Sequence, residues 1–311
     1  MKVDAVFEGG GVKGIGLVGA VCYLEEKGYQ WEKLAGTSAG SIIAALLAVG
    51  YTGKEIKTEL DNLDYRLFLD TTTLQAVPVV GKLFGLIYQR SIHSGDYIEK
   101  WMKGLLRKKG KVKFRDVVRE GESRLKIIAS DITRKELLVL PDDLVKYGIN
   151  PWDFEIAKAV RMSASIPFYF KPVELDYDKE FSLVVDGGIL SNFPVWIFDV
   201  EGTPRWPTFG FKLVSPGKSF TASGKTDIIS YLKDIISTML EENDARYIQN
   251  SDYIRTIPIP TLGIGTTQFS LSKEDSNKLF KSGYEAAKGF LDAWNFDNYV
   301  RDYRIPKKAT D

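Results

Sequence analysis

The sequence predicts an α/β protein built around a mostly parallel sheet. Near the start of the chain, short apolar segments alternate with helical patterns: VDAVF and then EKLAG are each followed by a helix. This order is typical of parallel strands joined by crossover helices. The second helix, SAGSIIAALLAVG, is apolar on all sides, so we expect it to be buried. Together these observations predict a sheet that helices cover on both faces.

The later segments continue the alternation. Residues 53–63 and 94–110 have helical patterns, and RLKIIASDI and KELLVL are typical of strands. WDFEIAKAVRMSAS predicts a helix that ends before Pro167. FSLVVDGG and TFGFKLV predict two further strands. An amphipathic helix over 226–249, a late strand in DYIRTIPIP and a helix in SKEDSNKLFKSGYEAAKGFLDAW complete the chain.

Residues 64–92 do not fit this regular alternation. The segment is apolar but is broken by Pro78, Gly81 and Gly85. Two interpretations are open: ordinary core, or a mobile flap over an apolar site. Since the sequence has no repeat, linker or low-complexity segment, we expect one domain.

Composition narrows the classes of partner and location. The 42 Lys and Arg nearly balance the 41 Asp and Glu, for a formal net charge of +1. Nucleic-acid-binding proteins carry a basic excess, so we expect no nucleic acid partner. The single cysteine, Cys22, excludes an internal disulfide and a cysteine-based zinc site. With no signal peptide pattern and no apolar run of ~20 residues, we expect a cytoplasmic protein without a transmembrane segment.

The segment Gly36–Gly40, GTSAG, matches the G-x-S-x-G pattern between a predicted strand and the buried helix. Glycines two residues either side of Ser38 relieve crowding in a tight turn that pushes its side chain outward. The dipole of a helix that starts at this serine favours an alkoxide. A serine nucleophile also needs a base, and the only histidine in the chain is His93.

The glycine-rich segment Gly9–Gly14, GGGVKG, has two interpretations. It matches the G-x-G-x-x-G dinucleotide fingerprint, which requires an acidic residue at the end of the next strand. That strand instead ends in Ala-Gly-Thr-Ser. The alternative is an oxyanion hole, in which N–H groups of the turn face a developing negative oxygen. Adjacent parallel strands would bring this turn next to Ser38 at the carboxyl edge of the sheet.

Asp186 closes the apolar strand LVVD and precedes Gly187 and Gly188. At that position the carboxylate would also lie at the carboxyl edge of the sheet, near Ser38. An aspartate before glycine is equally typical of a residue that caps a turn. Both interpretations are open from the residues alone.

Taken together and in this order, the three motifs resemble those of the patatin-like phospholipases. IIASDIT, RMSASIPFYFKPV and the carboxyl-terminal GTTQFSLSKEDSNKLFKSGYEAAKGFL resemble further family segments, so the resemblance covers nearly the whole chain. It implies a three-layer α/β/α fold with a mostly parallel central sheet. It also implies one domain over 1–311, with the motifs within 8–190 and carboxyl-terminal helices within 220–300 that pack on the same domain.

The resemblance implies lipid acyl-ester hydrolysis by a Ser-Asp dyad, with Ser38 as the nucleophile and Asp186 as the base. The turn Gly9-Gly10-Gly11 would be the oxyanion hole, through the N–H groups of Gly10 and Gly11. The remaining motif residues would support these turns: Lys13, Gly14, Gly36, Gly40, Gly187 and Gly188.

The side chain of Lys13 would stabilise the loop or attract an anionic head group; the alternative is a solvated lysine. Asp186 would become an effective base if burial raised its pKa above ~3.9. The implied substrate is a phospholipid or other acyl lipid, met through transient contact with a membrane surface or micelle. The resemblance implies no cofactor and no metal.

Three other functions remain open at this point. An acyltransferase of the same architecture would use His93 as its base, a nucleotide-binding module would use the glycine loop, and a lipid-binding protein would need no catalysis. We expect His93 to be a helix-start or surface residue. Ser163 and Ser165 are expected to be structural, and Arg161 to form a structural ion pair.

Overall fold

The computed structural model describes residues 1–69, 90–215 and 250–305, together with the isolated residues 235 and 238. Its strands are short, as the sequence pattern predicts. They are β1 (Lys2–Phe7), β2 (Gln30–Thr37), β3 (Ser91–His93), β4 (Val118–Arg119), β5 (Glu122–Ser123), β6 (Leu125–Asp131), β7 (Glu136–Leu140), β8 (Phe168–Phe170), β9 (Val173–Tyr177), β10 (Glu180–Asp186), β11 (Thr208–Val214) and β12 (Thr256–Pro260).

The α-helices of the described residues include both central, buried helices and peripheral ones. They are α1 (Ile15–Glu26), α2 (Ala39–Val49), α3 (Gly53–Asp61), α4 (Asp96–Lys108), α5 (Ile156–Ser163), α6 (Asn250–Ile254), α7 (Lys273–Ala293) and α8 (Phe296–Tyr299). Short 3-10 helices occur at Gly11–Gly14 and Tyr65–Phe68, among other places.

The central sheet has eight strands in the order β12-β11-β1-β2-β6-β10-β9, and β7 also pairs with β6. The five strands from β12 to β6 are parallel to one another. β7 and β10 run antiparallel to β6, and β9 runs antiparallel to β10. The predicted α/β fold with a mostly parallel sheet flanked by helices is therefore confirmed.

The apolar pattern of α2 is explained by its surroundings. The helix packs on β1, β2 and β6, and also contacts α5 and α1. Nearly every residue from Gly40 to Val49 is buried, so a polar face would cost desolvation energy without gaining a partner. Gly50 ends the helix in the left-handed conformation that glycine adopts most readily. This packing fixes the amino terminus of α2, where Ser38 lies, against the end of β1.

The long helix α7 packs along α1, and both helices contact β12. The core beneath them includes the aromatic side chains of Phe7, Phe209 and Phe211, each 0% exposed. Burying side chains of this size stabilises a fold by about 1.5–3 kcal/mol each. The carboxyl-terminal helix thereby stabilises the same sheet that carries the motif residues.

The structure differs from the prediction in specific places. DYIRTIPIP is not one strand, because its first residues belong to α6 and only Thr256–Pro260 form β12. The helix predicted after the glycine loop begins with the 3-10 turn at Gly11–Gly14. The predicted helix over 226–249 and most of the segment 64–92 lie outside the described residues. Within the described ranges, no helix is both long enough and apolar enough to cross a bilayer.

Candidate active site

Ser38 lies in a tight turn between β2 and α2, where it is the N-cap residue of the helix. Its backbone has φ 50° and ψ −125°, a conformation that costs a non-glycine residue about 1–3 kcal/mol. The turn requires glycine at its neighbours. A Cβ on Gly40 would lie 2.3 Å from the Phe7 carbonyl oxygen, and a Cβ on Gly36 would lie 2.3 Å from the Gly40 carbonyl oxygen. The serine is thus held in a strained conformation by close backbone packing.

Asp186 lies beside Ser38 because of the strand register. Thr37 of β2 is level with Ile128 of β6, and Asp186 is level with the next residue, Ala129. The aspartate therefore reaches the carboxyl edge of β2, as the sequence predicts, but on a strand that arrives from the opposite direction. The Asp186 side chain is 0% exposed.

The Asp186 carboxylate has one firm hydrogen bond and one open oxygen. Its Oδ1 accepts from the Gly188 N–H at 2.8 Å. The Ser38 side chain lies near enough to stabilise the charged form of the Asp186 carboxylate. Among the described residues, however, no well-aligned hydrogen bond to Asp186 Oδ2 is formed. Loose alignment of this kind is common before substrate binds. Oδ2 is therefore the atom available to accept the serine proton.

The environment of Asp186 raises its pKa from 3.8 to about 7. The main cause is burial, because the ionised carboxylate loses its water without gaining an opposite charge. The Ser38 side chain and the Gly188 N–H oppose the shift but do not cancel it. A carboxylate with a pKa near 7 is a far better proton acceptor at neutral pH than an exposed aspartate.

The glycine loop lies beside Ser38, since a Cβ on Gly9 would lie 3.0 Å from Ser38 Cβ. The Gly9 N–H donates to the Asn192 carbonyl oxygen at 3.2 Å. Within the described part of the chain, the N–H groups of Gly10 and Gly11 have no hydrogen-bond partner. Gly11 has φ 56°, and a Cβ there would lie 2.1 Å from the Thr266 carbonyl oxygen, so the position demands glycine.

Ser38 lines two cavities that differ in polarity. The first has a volume of about 60 Å³ and a wall of aliphatic and aromatic side chains, including Ile42, Phe68, Trp101 and Phe170. The second, of about 260 Å³, adjoins Gly9 and Gly10 and has walls of mixed character; we call it the polar cavity because polar and charged side chains contribute more to it than to the first. Its polar side chains are Glu8, Lys13, Asn192, Lys212, Ser215 and Thr266. Ser38 thus lies between an apolar compartment and a more polar one.

Lys13 is only 7% exposed and lines the polar cavity, so the solvated alternative for this lysine does not hold. Beside it, Lys212 donates to Glu8 Oε1 at 2.9 Å and lies over the Phe193 ring. The carboxylate of Glu8 also accepts the Leu213 N–H at 2.5 Å. These contacts hold Glu8, which follows β1, against the neighbouring strand β11.

The end of α5 contacts both Ser38 and Asp186. The Ser38 N–H donates to Ser163 Oγ at 2.9 Å, and the Asp186 N–H donates to the Ser165 carbonyl oxygen at 2.9 Å. Arg161 belongs to the same helix and is buried. Its guanidinium donates to Ser165 Oγ and to the carbonyl oxygens of Ser94 and Lys171.

His93 is not the helix-start or surface residue that the sequence suggested. It belongs to strand β3, is half-buried, and packs on Tyr169 and Phe170 with ring centroids 5.1 and 6.4 Å away. It is not among the described residues that line the two cavities at Ser38.

Sequence reasoning missed Asn192 and Lys212 and undervalued Ser163. Asn192 follows the D-G-G motif by only four residues, and its amide donates to the Gly9 carbonyl oxygen at 3.3 Å. That proximity to a motif was a usable signal. Lys212 lies within an apolar strand, where a lone lysine signals a special environment.

Comparison with known proteins identifies the family. The family model described as patatin-like phospholipase matches residues 5–199, which include the glycine loop, the serine turn and Asp186. The chain belongs to the patatin-like phospholipase family. Hydrolysis of lipid esters is the general activity that this membership supports.

Relatives of this patatin-like protein occur in a bacterium and in viruses. YqhO of Bacillus subtilis (strain 168) is 40% identical over 297 residues, covering 95% of this chain and all of that protein. Probable lipid hydrolase 463L of Invertebrate iridescent virus 6 is 30% identical over 190 residues, 61% of each chain.

Two solved structures share the patatin-like fold. VipD from Legionella pneumophila matches with a TM-score of 0.57 and 19% identity, and the type III effector ExoU with 0.52 and 17%. Each match covers 93% of this chain, but only 66% of the VipD chain and 52% of the ExoU chain. At these identities the likeness concerns the fold alone.

Proposed function

We propose that this protein hydrolyses acyl esters of phospholipids or related lipids, with Ser38 as the nucleophile and Asp186 as the base. The observation that carries the proposal is the position of Ser38 between an apolar and a polar cavity, beside a fully buried carboxylate whose pKa is raised to about 7. An ester with an apolar acyl chain and a polar leaving group fits this division.

The first half of the reaction forms an acyl-enzyme. Asp186 Oδ2 accepts the proton of the Ser38 hydroxyl as its oxygen attacks the ester carbonyl carbon. The resulting oxyanion is stabilised by the N–H groups of Gly10 and Gly11, which have no competing partner among the described residues. The C–O bond to the alcohol then breaks, and the proton passes from Asp186 to the departing oxygen.

The second half releases the fatty acid. Asp186 accepts a proton from a water molecule, whose oxygen attacks the acyl carbon and forms a second oxyanion in the same hole. Collapse of this intermediate breaks the bond to Ser38, which takes back a proton from Asp186. The dipole of α2, which begins at Ser38, also favours the negative oxygen. The mechanism needs neither histidine nor metal.

The position of His93 favours this dyad over the acyltransferase alternative, which needs a histidine base. Within the described residues no three His, Cys, Asp or Glu side chains cluster as metal ligands would. Family membership favours hydrolysis over nucleotide binding by the glycine loop and over lipid binding without catalysis.

We also propose that residues 64–92 belong to a flap at the apolar cavity. In the described part of this segment, Tyr65 and Phe68 line the cavity, and the Phe68 ring lies 5.7 Å from that of Trp101. Leu83 and Phe84, which we expect to contact lipid, lie outside the described residues. Such a flap would place the reaction at a membrane surface or micelle, in a protein that is otherwise cytoplasmic.

The decisive experiment is a comparison of wild type with Ser38→Ala. Wild type is expected to release fatty acid from phospholipid and p-nitrophenol from a long-chain ester, and the variant to do neither. Mass spectrometry after treatment with a fluorophosphonate should find the adduct on Ser38. Equal hydrolysis by the two proteins would exclude Ser38 as the nucleophile.

A further inference from the structure

One short segment at the end of α5 holds the backbone of both proposed catalytic residues. Ser163 Oγ accepts the Ser38 N–H, and the Ser165 carbonyl oxygen accepts the Asp186 N–H, each at 2.9 Å. Ser163 and Ser165 are both 0% exposed, so water does not compete for these bonds. Two residues far apart in sequence are thereby tied to one short stretch of chain.

A second hydrogen bond determines that the Ser163 hydroxyl accepts, rather than donates, at Ser38. Ser163 Oγ donates its one proton to the Ile128 carbonyl oxygen of β6 at 2.5 Å. With the proton committed to Ile128, the oxygen is left to accept the Ser38 N–H. Ser163 therefore links the nucleophile turn to the strand that also pairs with the strand of Asp186.

Ser38 needs such a link because its backbone is strained. A residue other than glycine at φ 50° keeps that conformation only when its surroundings enforce it. The first turn of α2 contributes on one side, since the Ser41 hydroxyl donates to the Ser38 carbonyl oxygen at 2.6 Å. Ser163 holds the N–H on the other side, so both polar groups of the Ser38 backbone are bonded.

Arg161 holds the segment itself in place. It is 3% exposed, and its guanidinium donates to Ser165 Oγ, to the Ser94 carbonyl oxygen at 2.5 Å and to the Lys171 carbonyl oxygen at 2.7 Å. Ser94 precedes α4, and Lys171 follows β8. The end of α5 is consequently anchored to two other parts of the chain.

We propose that Arg161, Ser163 and Ser165 form a positioning clamp that sets the distance and orientation between Ser38 and Asp186. The clamp rests on the proposed function, because it assigns no chemistry of its own to these residues. Ser163 is its most direct member, since one hydroxyl connects the nucleophile backbone to β6. A displacement of about 1 Å in a catalytic group costs up to ~10²-fold in rate.

Ser163→Ala tests the clamp. The variant leaves the buried Ser38 N–H without its acceptor, so kcat on a p-nitrophenyl ester should fall by roughly 10–100-fold while KM stays within about two-fold. The rate of fluorophosphonate labelling should fall in parallel. Ser163→Cys keeps a weak acceptor and a similar volume, so its kcat should lie between those of wild type and the alanine variant.

Ser123→Ala is the matched control. Ser123 is also buried, and its hydroxyl also bridges backbone groups, donating to the Leu125 carbonyl oxygen at 2.8 Å and accepting the Leu125 N–H. It lies at the opposite end of β6 from the site. Both alanine variants should unfold at a lower urea concentration than wild type, but Ser123→Ala should keep wild-type kcat. If Ser163→Ala also keeps wild-type kcat, the clamp is refuted.

Hydrogen exchange at the Ser38 amide separates the clamp from the proposed function. The amide should be protected in wild type and in Ser123→Ala and exchange faster in Ser163→Ala. The proposed function would be refuted if wild type released no fatty acid and did not react with fluorophosphonate. The exchange result would support the clamp even in that case. Equal exchange of the Ser38 amide in all three proteins would overturn the clamp whatever the enzyme assay gives.

Discussion

Replacing Asp186 with asparagine tests the proposed base through activity and through stability at once. Asparagine has nearly the same shape, and its side-chain oxygen still accepts the Gly188 N–H. It cannot take the proton of Ser38, so kcat should fall by ~10²-fold or more. Wild-type kcat/KM should rise with pH through about 7, where the Asp186 carboxyl ionises, and level off above it.

The stability readout follows from the same pKa. In the unfolded chain the Asp186 carboxyl ionises near pH 3.8, but in the folded protein it stays protonated up to about pH 7. Between these values the folded state binds more protons, so wild-type stability falls as pH rises. A shift from 3.8 to about 7 corresponds to about 4 kcal/mol at ~1.4 kcal/mol per pKa unit.

Asp186→Asn removes that cost because it has no charge to bury. Its stability advantage over wild type should grow by about 2–3 kcal/mol between pH 5 and pH 8, and then stay constant. Urea unfolding at several pH values measures the difference directly. The variant should therefore be nearly inactive and yet more stable than wild type at pH 8.

Asp131→Asn is a control with the opposite sign. Burial tends to raise the pKa of Asp131, but hydrogen bonds that include the Tyr147 hydroxyl and two backbone N–H groups outweigh it and lower the pKa. The ionised form of Asp131 thus stabilises the fold at any pH well above 3.8. The Asp131→Asn variant should therefore be less stable than wild type by the same free energy of unfolding at every pH between 5 and 8. If Asp186→Asn behaves in the same way, or retains activity, the buried-base argument is refuted.

Three further predictions concern the histidine, the glycine loop and the flap. A folded His93→Gln variant should keep kcat within a few-fold of wild type; loss of activity in that variant, with retention in Asp186→Asn, would instead favour a Ser-His mechanism. Gly10→Ala should lower kcat by ~10²-fold, because its Cβ would lie 2.2 Å from Leu213 Cδ1 and the resulting shift would displace an oxyanion donor. If the double variant Gly10→Ala/Leu213→Ala recovers activity, crowding against Leu213 is responsible for the loss rather than the added methyl group itself. Leu83→Glu and Phe84→Glu should weaken binding to phosphatidylcholine vesicles in a flotation assay but leave hydrolysis of a short soluble ester unchanged, whereas unfolding of both variants would identify this segment as core.

Local features of the site could be predicted from the sequence because they depend on neighbouring residues. The turn at Ser38 is specified by two glycines and by the apolar helix that follows, and all three requirements appear within the stretch 36–49. The glycine loop is specified in the same way by close backbone approach. In both segments, the local sequence and the surrounding structure favour the same backbone conformation.

The direction of β10 could not be predicted, because a short apolar run is compatible with either orientation. The direction of β10 relative to β9 is set by a hairpin, in which a two-residue turn at Asp178-Lys179 joins the two strands. Asp186 therefore reaches Ser38 along a strand that runs antiparallel to β2.

The role of Ser163 was also beyond sequence reasoning. Its contact with Ser38 joins residues 125 positions apart, and nothing within RMSAS distinguishes a serine that ends a helix from one that supports a nucleophile. Only the packing of α5 against α2 and β6 brings its hydroxyl to the Ser38 N–H. The contacts of Arg161 with the carbonyl oxygens of Ser94 and Lys171 were beyond sequence reasoning for a related reason, since an arginine can donate to carbonyl oxygens as well as to carboxylates.

The way in which Asp186 is held in place bears directly on catalysis. A guanidinium in contact with Asp186 would stabilise the carboxylate, lower its pKa and make it a weaker base. Arg161 instead anchors Ser165 through the serine hydroxyl, and Ser165 reaches Asp186 only through a backbone carbonyl. The raised pKa of Asp186 accordingly reflects burial, opposed by Ser38 and Gly188. Anchoring the base through neutral groups fixes its position and leaves its proton affinity high, which a direct salt bridge would not do.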